Sequence, residues 1–383
     1  METFELTRDR FWESETCHVM VNPRDDRARM EAETISRWAV DQDALAGHLL
    51  FVTSGSTGGG KWVALSRSAL LASATAVNQH LCAGATDRWL LALPDFHVGG
   101  MGILARCYQS GSAVVSHEGK WNAESYHALL GAEKVTLSSL VPTQLVDLVR
   151  RGLSAPPSLR AVLIGGGRLE SEVYERARDL AWPVMETYGM TEASSQVATA
   201  SLISRSLKIL PCWQAETARD GRLRIMGEPL LTGYVSCDDG VCRMTDPKED
   251  GWFSTGDCVD LQHDTLVVQG RVDRCVKIMG ELVNLAEVER AIIDCAPTQF
   301  MANHDLVVVA VPDARNGQRL IACCDREIGL GDLLDRHHVS CHPVCRITSV
   351  IMLGRIPRSA LGKVLYASLR EKVMMKLADN DGK

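Results

Sequence analysis

The segment FVTSGSTGGGKW, residues 51–62, contains the residues from which a phosphate-binding loop can be built. Gly55, Gly60 and Lys61 fit the first seven positions of the Walker A pattern, in which backbone N–H groups and a lysine hold nucleotide phosphates. The eighth position must be Ser or Thr to bind Mg²⁺, whereas this chain has Trp62, which cannot bind a metal. The loop therefore indicates phosphate binding but argues against a P-loop NTPase, and the magnesium ligand is expected elsewhere.

Short apolar runs alternate with amphipathic stretches from residue 48 to about residue 189. This alternation predicts an α/β fold whose large N-terminal domain consists mainly of parallel sheets flanked by helices. Ligands of such sheets bind at the carboxyl ends of the strands. The glycine loop, the triple glycine at 165–167 and the segment TYGMTE at 187–192 each follow an apolar run. We therefore expect these three segments to converge on one cleft.

The pattern changes after about residue 200. Shorter strand-like pieces separated by turn residues predict a β-rich, mainly antiparallel subdomain at about 200–270, within a large domain that spans 1–270. Residues 274–383 alternate strands and helices again, which predicts a small α+β C-terminal domain. We place the hinge between the two domains near 271–274.

The composition favours small-molecule partners. The 383 residues are 46% hydrophobic and 23% charged, which is typical of a globular protein with a large core. The net charge of −7 argues against nucleic-acid binding, which requires a basic surface. The thirteen cysteines follow no small-domain disulfide framework, and the sequence contains neither a secretory signal nor an apolar run of about 18 residues. We therefore expect a cytoplasmic protein without a membrane span.

Seven motifs follow one another in a specific order. They are TSGSTGGGK, LPDFHVGG, GGGRLE, YGMTEASSQ, FSTGD, GRVDRCVKIMGELVNLAEVE and IPRSALGK. On these motifs, the chain from residue 48 to its C-terminus resembles the adenylate-forming superfamily of acyl-CoA synthetases, luciferases and peptide-synthetase adenylation domains. The resemblance implies a large AMP-binding domain with a small mobile lid domain. It also implies a two-step reaction, in which a carboxylic acid and MgATP give an acyl-adenylate and coenzyme A then displaces AMP.

The resemblance assigns the glycine loop to the β and γ phosphates of ATP, because hydroxyl and backbone N–H groups suit charged oxygen acceptors. The residues implied are Thr53, Ser54, Gly55, Ser56, Thr57, Gly58 and Lys61. Thr191 is implied to hydrogen-bond the α phosphate, and Glu192 to bind Mg²⁺ through a hard oxygen donor. Gly60 and Trp62 stand where the family usually has Pro and Gly, so we expect a looser loop with a narrower mouth.

The same resemblance implies a site for the adenosine. Glycines let the backbone approach adenine closely, an aromatic ring stacks on the base, and a carboxylate with an arginine binds the ribose hydroxyls. The residues implied are Gly165, Gly166, Gly167, Tyr188, Gly189, Asp257 and Arg271.

Three further residues are implied to serve the chemical steps. Lys363 would stabilise the charge that develops at the α phosphorus when the carboxylate attacks. His97 would be the aromatic gate between the acyl pocket and the entry route of the thiol. Gly280 would let the pantetheine arm of coenzyme A pass in the second step.

The acid is less closely defined by the motifs. LPDFHVGGMGILARC, LSSLVPTQL and YGMTEASSQVAT look most like o-succinylbenzoate–CoA ligases of menaquinone biosynthesis, and the roughly 50 residues before the glycine loop agree with compact forms of them. A dicarboxylate needs an apolar wall and a donor for its unreacting carboxylate. The candidates for these contacts are Arg106, Thr143, Ser195 and Gln196. CVKIMGELVNLAEVE looks more like general acyl-CoA and acyl-carrier ligases, so another aromatic or short-chain acid remains open.

Other readings stay open at this point. The chain could load the phosphopantetheine of a carrier protein, or it could be a degenerate nucleotide-binding subunit, although retention of Glu192, Asp257 and Lys363 speaks against degeneration. A homodimer is a further possibility. The cluster of His337, His338, Cys341, His342 and Cys345 offers zinc ligands, but it lacks a C-x-x-C knuckle and leads into an apolar strand, which argues against a metal.

Overall fold

The computed structural model describes residues 6, 9–53, 61–238, 240–295, 306–313, 315–324, 330–358 and 364–381. Six predicted site residues lie outside the described residues, namely Ser54, Gly55, Ser56, Thr57, Gly58 and Lys363.

The described chain folds into helices and strands that alternate in its first half and are mainly strands from β8 to β18. The helices are α1 (Asp9–Trp12), α2 (Asp26–Ala39), α3 (Arg67–Leu81), α4 (Val98–Ser110), α5 (Ala123–Ala132), α6 (Pro142–Arg150), α7 (Ser171–Asp179), α8 (Leu285–Asp294), α9 (Leu330–Ser340) and α10 (Tyr366–Asp381). The strands of the first half are β1 (His18–Met20), β2 (His48–Thr53), β3 (Lys61–Ser66), β4 (Arg88–Leu91), β5 (Ala113–Ser116), β6 (Leu137–Leu140), β7 (Ala161–Ile164), β8 (Val184–Met190), β9 (Ser195–Ser201) and β10 (Ser204–Ile209). The remaining strands are β11 (Trp213–Thr217), β12 (Arg222–Gly227), β13 (Gly233–Asp238), β14 (Val241–Thr245), β15 (Phe253–Gln262), β16 (Thr265–Arg271), β17 (Cys275–Ile278), β18 (Glu281–Asn284), β19 (Leu306–Asp313), β20 (Gly317–Cys324) and β21 (Ile347–Met352).

An eleven-stranded sheet forms the centre of the molecule, in the order β11-β12-β15-β16-β10-β9-β8-β7-β6-β4-β5. Strands β5, β4, β6, β7 and β8 run parallel to one another. Every residue of β6 and β7 is buried, as expected of strands that are covered by helices on both faces. Beyond β8 the pairings are antiparallel, so most of the β-rich segment extends this sheet.

A second sheet of five strands, in the order β1-β2-β3-β13-β14, lies beside α2. The helix α2 begins after Asp25, whose carboxylate caps it by accepting from the N–H of Ala28. Trp62, which we expected to narrow the mouth of the glycine loop, is fully buried instead. Its indole N–H donates to Glu31 of α2 at 3.0 Å, because alternation along β3 turns its side chain away from Lys61. That expectation was wrong.

The β13–β14 hairpin contains a disulfide that the sequence did not predict, between the directly opposed residues Cys237 and Cys242. All thirteen cysteines lie in the described part of the chain, and no second disulfide forms among them. Within the same described ranges, no helix combines the length and the apolar character needed to cross a membrane.

The C-terminal part, from β17 onward, has its own sheets and cores. The hairpin β17–β18 is separate from a three-stranded sheet of order β19-β20-β21. The helices α8 and α9 pack with one face of that sheet and α10 with the other, in two hydrophobic clusters. Among the described residues, these clusters contain only residues from Val276 onward, and the clusters of the N-terminal part contain only residues up to Val268.

A buried network holds Arg274 to the C-terminal part. Its guanidinium makes two hydrogen bonds to Glu289 at 2.7 and 2.8 Å and one to the hydroxyl of Tyr366 at 2.8 Å. Glu289 also accepts from the backbone N–H of Val308 at 2.7 Å. Burial lowers the pKa of Arg274, but the hydrogen bonds and charge of Glu289, together with smaller effects of Tyr366 and Asp273, outweigh it and raise the pKa of the guanidinium.

Candidate active site

The strand β7 ends at Ile164, opposite Glu186 of β8, and the triple glycine leaves the sheet at this point. A Cβ on Gly165 would lie 2.4 Å from the hydroxyl oxygen of Thr187 on β8, so only glycine permits this approach. Gly166 has a φ of +78°, in the region that glycine adopts without strain. Gly166 and Gly167 are exposed, which leaves their backbone open to a flat ligand such as adenine.

Tyr188, Asp257 and Arg271 come together from three strands, as the predicted adenosine site requires. The hydroxyl of Tyr188 donates to Asp257 at 2.6 Å. Burial, together with the charge of Asp257, raises the pKa of Tyr188, so the phenol stays protonated at neutral pH. Asp257 and Arg271 are opposed residues of β15 and β16, and their side chains lie 3.5 Å apart. The remaining nitrogens of Arg271 bind Asp273 at 3.0 and 3.1 Å.

Glu192 follows β8 in a single turn that Thr191 opens, and both side chains are partly exposed. The hydroxyl of Tyr234, on β13, donates to one carboxylate oxygen of Glu192 at 2.9 Å. Among the described residues, no group of three or more His, Cys, Asp or Glu side chains could hold a metal. Mg²⁺ needs no such cage, because it is commonly bound by one carboxylate together with substrate phosphates and waters. Glu192 therefore fits the predicted magnesium ligand.

The two ends of the glycine loop are held together. Thr53 closes β2 and Lys61 opens β3 as its antiparallel partner, and the Thr53 hydroxyl donates to the carbonyl of Lys61 at 3.2 Å. The exposed ammonium of Lys61 lies 5.2 Å from the ring centroid of Tyr234. Tyr234 thus contacts both a predicted phosphate ligand and the predicted metal ligand. Sequence reasoning missed it, because nothing in the GYVSCD strand indicates a partner 42 residues earlier in the chain.

Arg106 lies in the interior of α4 and is only 2% exposed. Its guanidinium stacks over the ring of Trp89 at 5.4 Å, and two of its nitrogens have no hydrogen-bond partner in the described structure. Burial lowers the pKa of Arg106 to about 10, and no ion pair forms between it and any described carboxylate. A buried cation without a carboxylate partner is costly to the free energy of folding.

Gly102 brings Arg106 and Ser195 to one place. A Cβ on this glycine would lie 3.2 Å from a terminal nitrogen of Arg106 and 3.5 Å from the Cβ of Ser195. Ser194 and Ser195 have φ values of +50° and +105°, which are rare for serine, and such backbone strain is concentrated at functional sites. Gly189 permits this bend, since a Cβ there would lie 1.6 Å from the carbonyl oxygen of Ser195.

Two predicted substrate contacts are not joined to this pair. Gln196 is buried and its side-chain oxygen accepts from the hydroxyl of Thr199 at 2.7 Å. Thr143 is exposed near the start of α6.

His97, the predicted gate residue, immediately precedes α4, so it lies at the N-terminal end of that helix. The centroid of its ring lies 4.8 Å from that of Phe96.

Gly280 lies in the two-residue turn of the β17–β18 hairpin, after Met279. Both residues have positive φ, +52° and +88°, as in a type I′ turn. A Cβ on Gly280 would meet nothing within 4 Å. The turn therefore presents an open glycine backbone at the surface.

The two histidines of the cluster near residue 340 contact the backbone. A ring nitrogen of His337 lies 3.2 Å from the carbonyl oxygen of Cys345, and a ring nitrogen of His338 accepts from the N–H of Ile347 at 3.1 Å. These contacts stabilise the turn after α9.

Comparison with known proteins identifies the family. A family model described as "AMP-binding enzyme" matches residues 11–223. A 2-succinylbenzoate–CoA ligase of Bacillus cereus is 30% identical over 348 residues, which is 85% of this chain and 70% of the relative. One of Listeria monocytogenes is 28% identical over 356 residues, covering 89% and 73%. The chain therefore belongs to the AMP-binding enzyme family.

A solved structure shares the fold. It is the O-succinylbenzoate coenzyme A synthetase of Bacillus subtilis in complex with AMP, which superposes with a TM-score of 0.72 at 26% identity. The match covers 83% of this chain and 67% of the other. The family and the α/β fold class predicted from the sequence motifs are both confirmed.

Proposed function

We propose that the protein is an ATP-dependent, AMP-forming carboxylic acid–CoA ligase that activates o-succinylbenzoate through an acyl-adenylate. One observation carries the choice of acid, namely the buried Arg106, which has no carboxylate partner among the described residues. A second carboxylate on the acid would supply that partner. Ser195, beside Arg106, would contribute a hydroxyl to the same pocket. The activity of the two bacterial relatives supports the same acid.

The nucleotide would lie across the end of β7 and beside β8, β15 and β16. Adenine would contact the backbone of the triple glycine and the ring of Tyr188, and Asp257 with Arg271 would bind the ribose. Tyr188 donates to one oxygen of Asp257, so that carboxylate is oriented before the ribose arrives. Arg271 would move from Asp273 toward the ribose, a short side-chain rearrangement because it contacts both carboxylates.

The phosphates would lie between Thr53, Thr191 and Lys61, with Glu192 holding Mg²⁺. When bound, the ion neutralises phosphate charge and holds the triphosphate in place. Lys363, in the IPRSALGK motif, would stabilise the charge that grows as the carboxylate attacks the α phosphorus. His97 and Gly280 would then admit the thiol of coenzyme A.

We also propose that residues 1–270 and 274–383 are two domains that rotate about a hinge between the steps. The side chain of Arg274 contacts Glu289, Tyr366 and Val308 of the C-terminal part, which supports a pivot that precedes it. Arg271 contacts Asp257 of the N-terminal part. The rotation would therefore be absorbed at Val272 and Asp273.

The test is a panel of carboxylic acids assayed with ATP, Mg²⁺ and coenzyme A for AMP and thioester. We expect turnover of o-succinylbenzoate, with weaker turnover of aromatic acids that have a single carboxylate. Preference for a monocarboxylic acid would replace the proposed substrate with that acid. AMP release with a carrier protein but not with coenzyme A would favour an enzyme that loads a carrier protein. No turnover of any acid would favour a degenerate nucleotide-binding subunit.

We place the enzyme in the cytoplasm, where ATP and coenzyme A are available and where most of its cysteines would stay reduced. A homodimer remains a prediction. Light scattering measures it directly, as a particle of twice the 41.9 kDa chain mass.

A further inference from the structure

Tyr234 occupies a position that the reaction as outlined does not use. It lies on β13, which pairs with β3 so that Tyr234 is opposite Val63, two residues from Lys61. Its hydroxyl reaches Glu192 at 2.9 Å, and the ammonium of Lys61 lies 5.2 Å from its ring centroid. One side chain thus connects the end of the glycine loop with the turn that carries Glu192.

The backbone around Tyr234 is tied to that turn. The N–H of Leu231 donates to the carbonyl of Glu192 at 2.9 Å, and the hydroxyl of Ser194 donates to the carbonyl of Pro229 at 2.8 Å. The ammonium of Lys248 donates to the carbonyls of Leu231 and Thr232 at 2.8 and 3.0 Å. The start of β13 and the Glu192 turn therefore form one fixed unit.

We propose that Tyr234 is a positioning residue of the ligase reaction: its hydroxyl fixes one oxygen of Glu192 and leaves the other for Mg²⁺, while its ring holds Lys61 beside the phosphates. This proposal rests on the proposed function. A carboxylate that is free to rotate loses entropy when it binds a metal, and hydrogen bonds from neighbouring side chains remove that loss.

The test compares Tyr234→Phe with wild type by electron paramagnetic resonance titration of Mn²⁺ in the presence of α,β-methylene-ATP, whose α–β bond cannot be cleaved. We expect Mn²⁺ affinity to fall roughly 10- to 100-fold, as for other neighbours of metal ligands. The KM for Mg²⁺ in thioester formation should rise in parallel, while kcat recovers at saturating Mg²⁺. Tyr234→Leu should also weaken ATP binding, because it removes the ring beneath Lys61 as well.

Tyr126→Phe is the control, because it removes the hydroxyl of a fully buried tyrosine away from the site, which donates to Ser138 at 2.9 Å. It should affect thermal stability but not Mn²⁺ affinity. In a Glu192→Gln background, Tyr234→Phe should change nothing further, since the tyrosine acts through that carboxylate.

Unchanged Mn²⁺ affinity in Tyr234→Phe, or an equal loss in Tyr126→Phe, would overturn the positioning role. Failure of the proposed function looks different, since the wild-type protein itself would then form no thioester. If Tyr234→Phe does not fold, Tyr234→Leu is titrated with Mn²⁺ in its place, and an unchanged affinity in that variant would equally overturn the positioning role.

Discussion

Arg106 is the side chain on which the substrate assignment depends most. A guanidinium that is 2% exposed and has no carboxylate beside it destabilises the free protein, so its presence is best explained by an anion that arrives with the substrate. Ser195, with its strained backbone, borders the same space. The unpaired guanidinium and the positive φ of Ser195 are both properties of single residues and their immediate contacts.

Replacing Arg106 with methionine should separate binding from stability. We expect Arg106→Met to raise the KM for o-succinylbenzoate about 10- to 100-fold, because a charged hydrogen bond is lost, and to leave the KM for ATP unchanged. The melting temperature should stay the same or rise, since an unpaired buried charge is removed. Steady-state kinetics and thermal unfolding measure the two effects.

Arg67→Met is the control for that variant. Arg67 is also buried, at 4% exposed, and two of its nitrogens lack hydrogen-bond partners in the described structure, but it packs against Phe11. Its loss should change the melting temperature and leave the KM for o-succinylbenzoate unchanged. An equal rise in that KM for both variants would contradict the role of Arg106.

Lys363 should be needed for one half-reaction only. Lys363→Ala is expected to slow acid-dependent exchange of pyrophosphate into ATP by orders of magnitude, because a cation at the developing charge is lost. Thioester formation from supplied acyl-adenylate should remain largely intact. Comparable losses in both assays would argue that this lysine has a structural role.

At the scale of elements, periodicity predicted most of the fold of the first half. Among the alternating stretches, the amphipathic one at 99–109 forms α4 (Val98–Ser110), and the apolar run RAVLI forms β7 (Ala161–Ile164). These elements are long or fully buried, so their hydrophobic patterns are clear. The strand β3 was missed in the sequence. It begins at Lys61, the last residue of the glycine-loop motif, so no turn residues separate it from that motif, and its partners are β2 and β13.

The sequence did not show which strands pair when they are far apart in the chain. The disulfide between Cys237 and Cys242 lies within the β13–β14 hairpin, whereas the hydrogen bond from Tyr234 to Glu192 depends on where β13 pairs. That strand leaves the order of its neighbours to join β3 in the second sheet. Register between strands that are far apart in sequence is set by tertiary packing, which local patterns do not record. The convergence of Tyr188, Asp257 and Arg271, in contrast, followed from family motifs.

The connection between α3 and β4 should make stability depend on acid pH. Asp87 is buried, yet hydrogen bonds from Arg160, Thr136 and the N–H of Gly84 lower its pKa to about 2. Because the pKa is lower in the folded state, this stabilisation is present above pH 4 and is lost as pH falls toward 2.

Asp87→Asn should therefore lower the free energy of unfolding at pH 7 by about 1 to 2 kcal/mol, a value reduced because Arg160 is partly exposed. The difference from wild type should shrink as pH falls from 4 to 2. Urea titrations at several pH values measure it. A difference that stayed constant with pH would exclude the carboxylate charge as its source.

At the scale of the whole molecule, the two groups of hydrophobic clusters and the fixed Arg274 restrict where the chain can bend. A proline at residue 273 fixes φ there and should hinder rotation. We expect Asp273→Pro to retain pyrophosphate exchange but to lose thioester formation by at least about tenfold. Parallel assays of the half-reactions on the purified variant measure this, and full activity would place the hinge elsewhere.

The central claim is that one nucleotide, bound across β7, β8 and β15, is attacked by a carboxylate to give an adenylate. The most direct measurement mixes excess protein with ATP, Mg²⁺ and o-succinylbenzoate without coenzyme A, followed by acid quenching and mass spectrometry. We predict an acyl-adenylate that accumulates to nearly one per active chain and turns into thioester and AMP when coenzyme A is added. Formation of ADP, or AMP release without any adenylate that coenzyme A can discharge, would contradict the account.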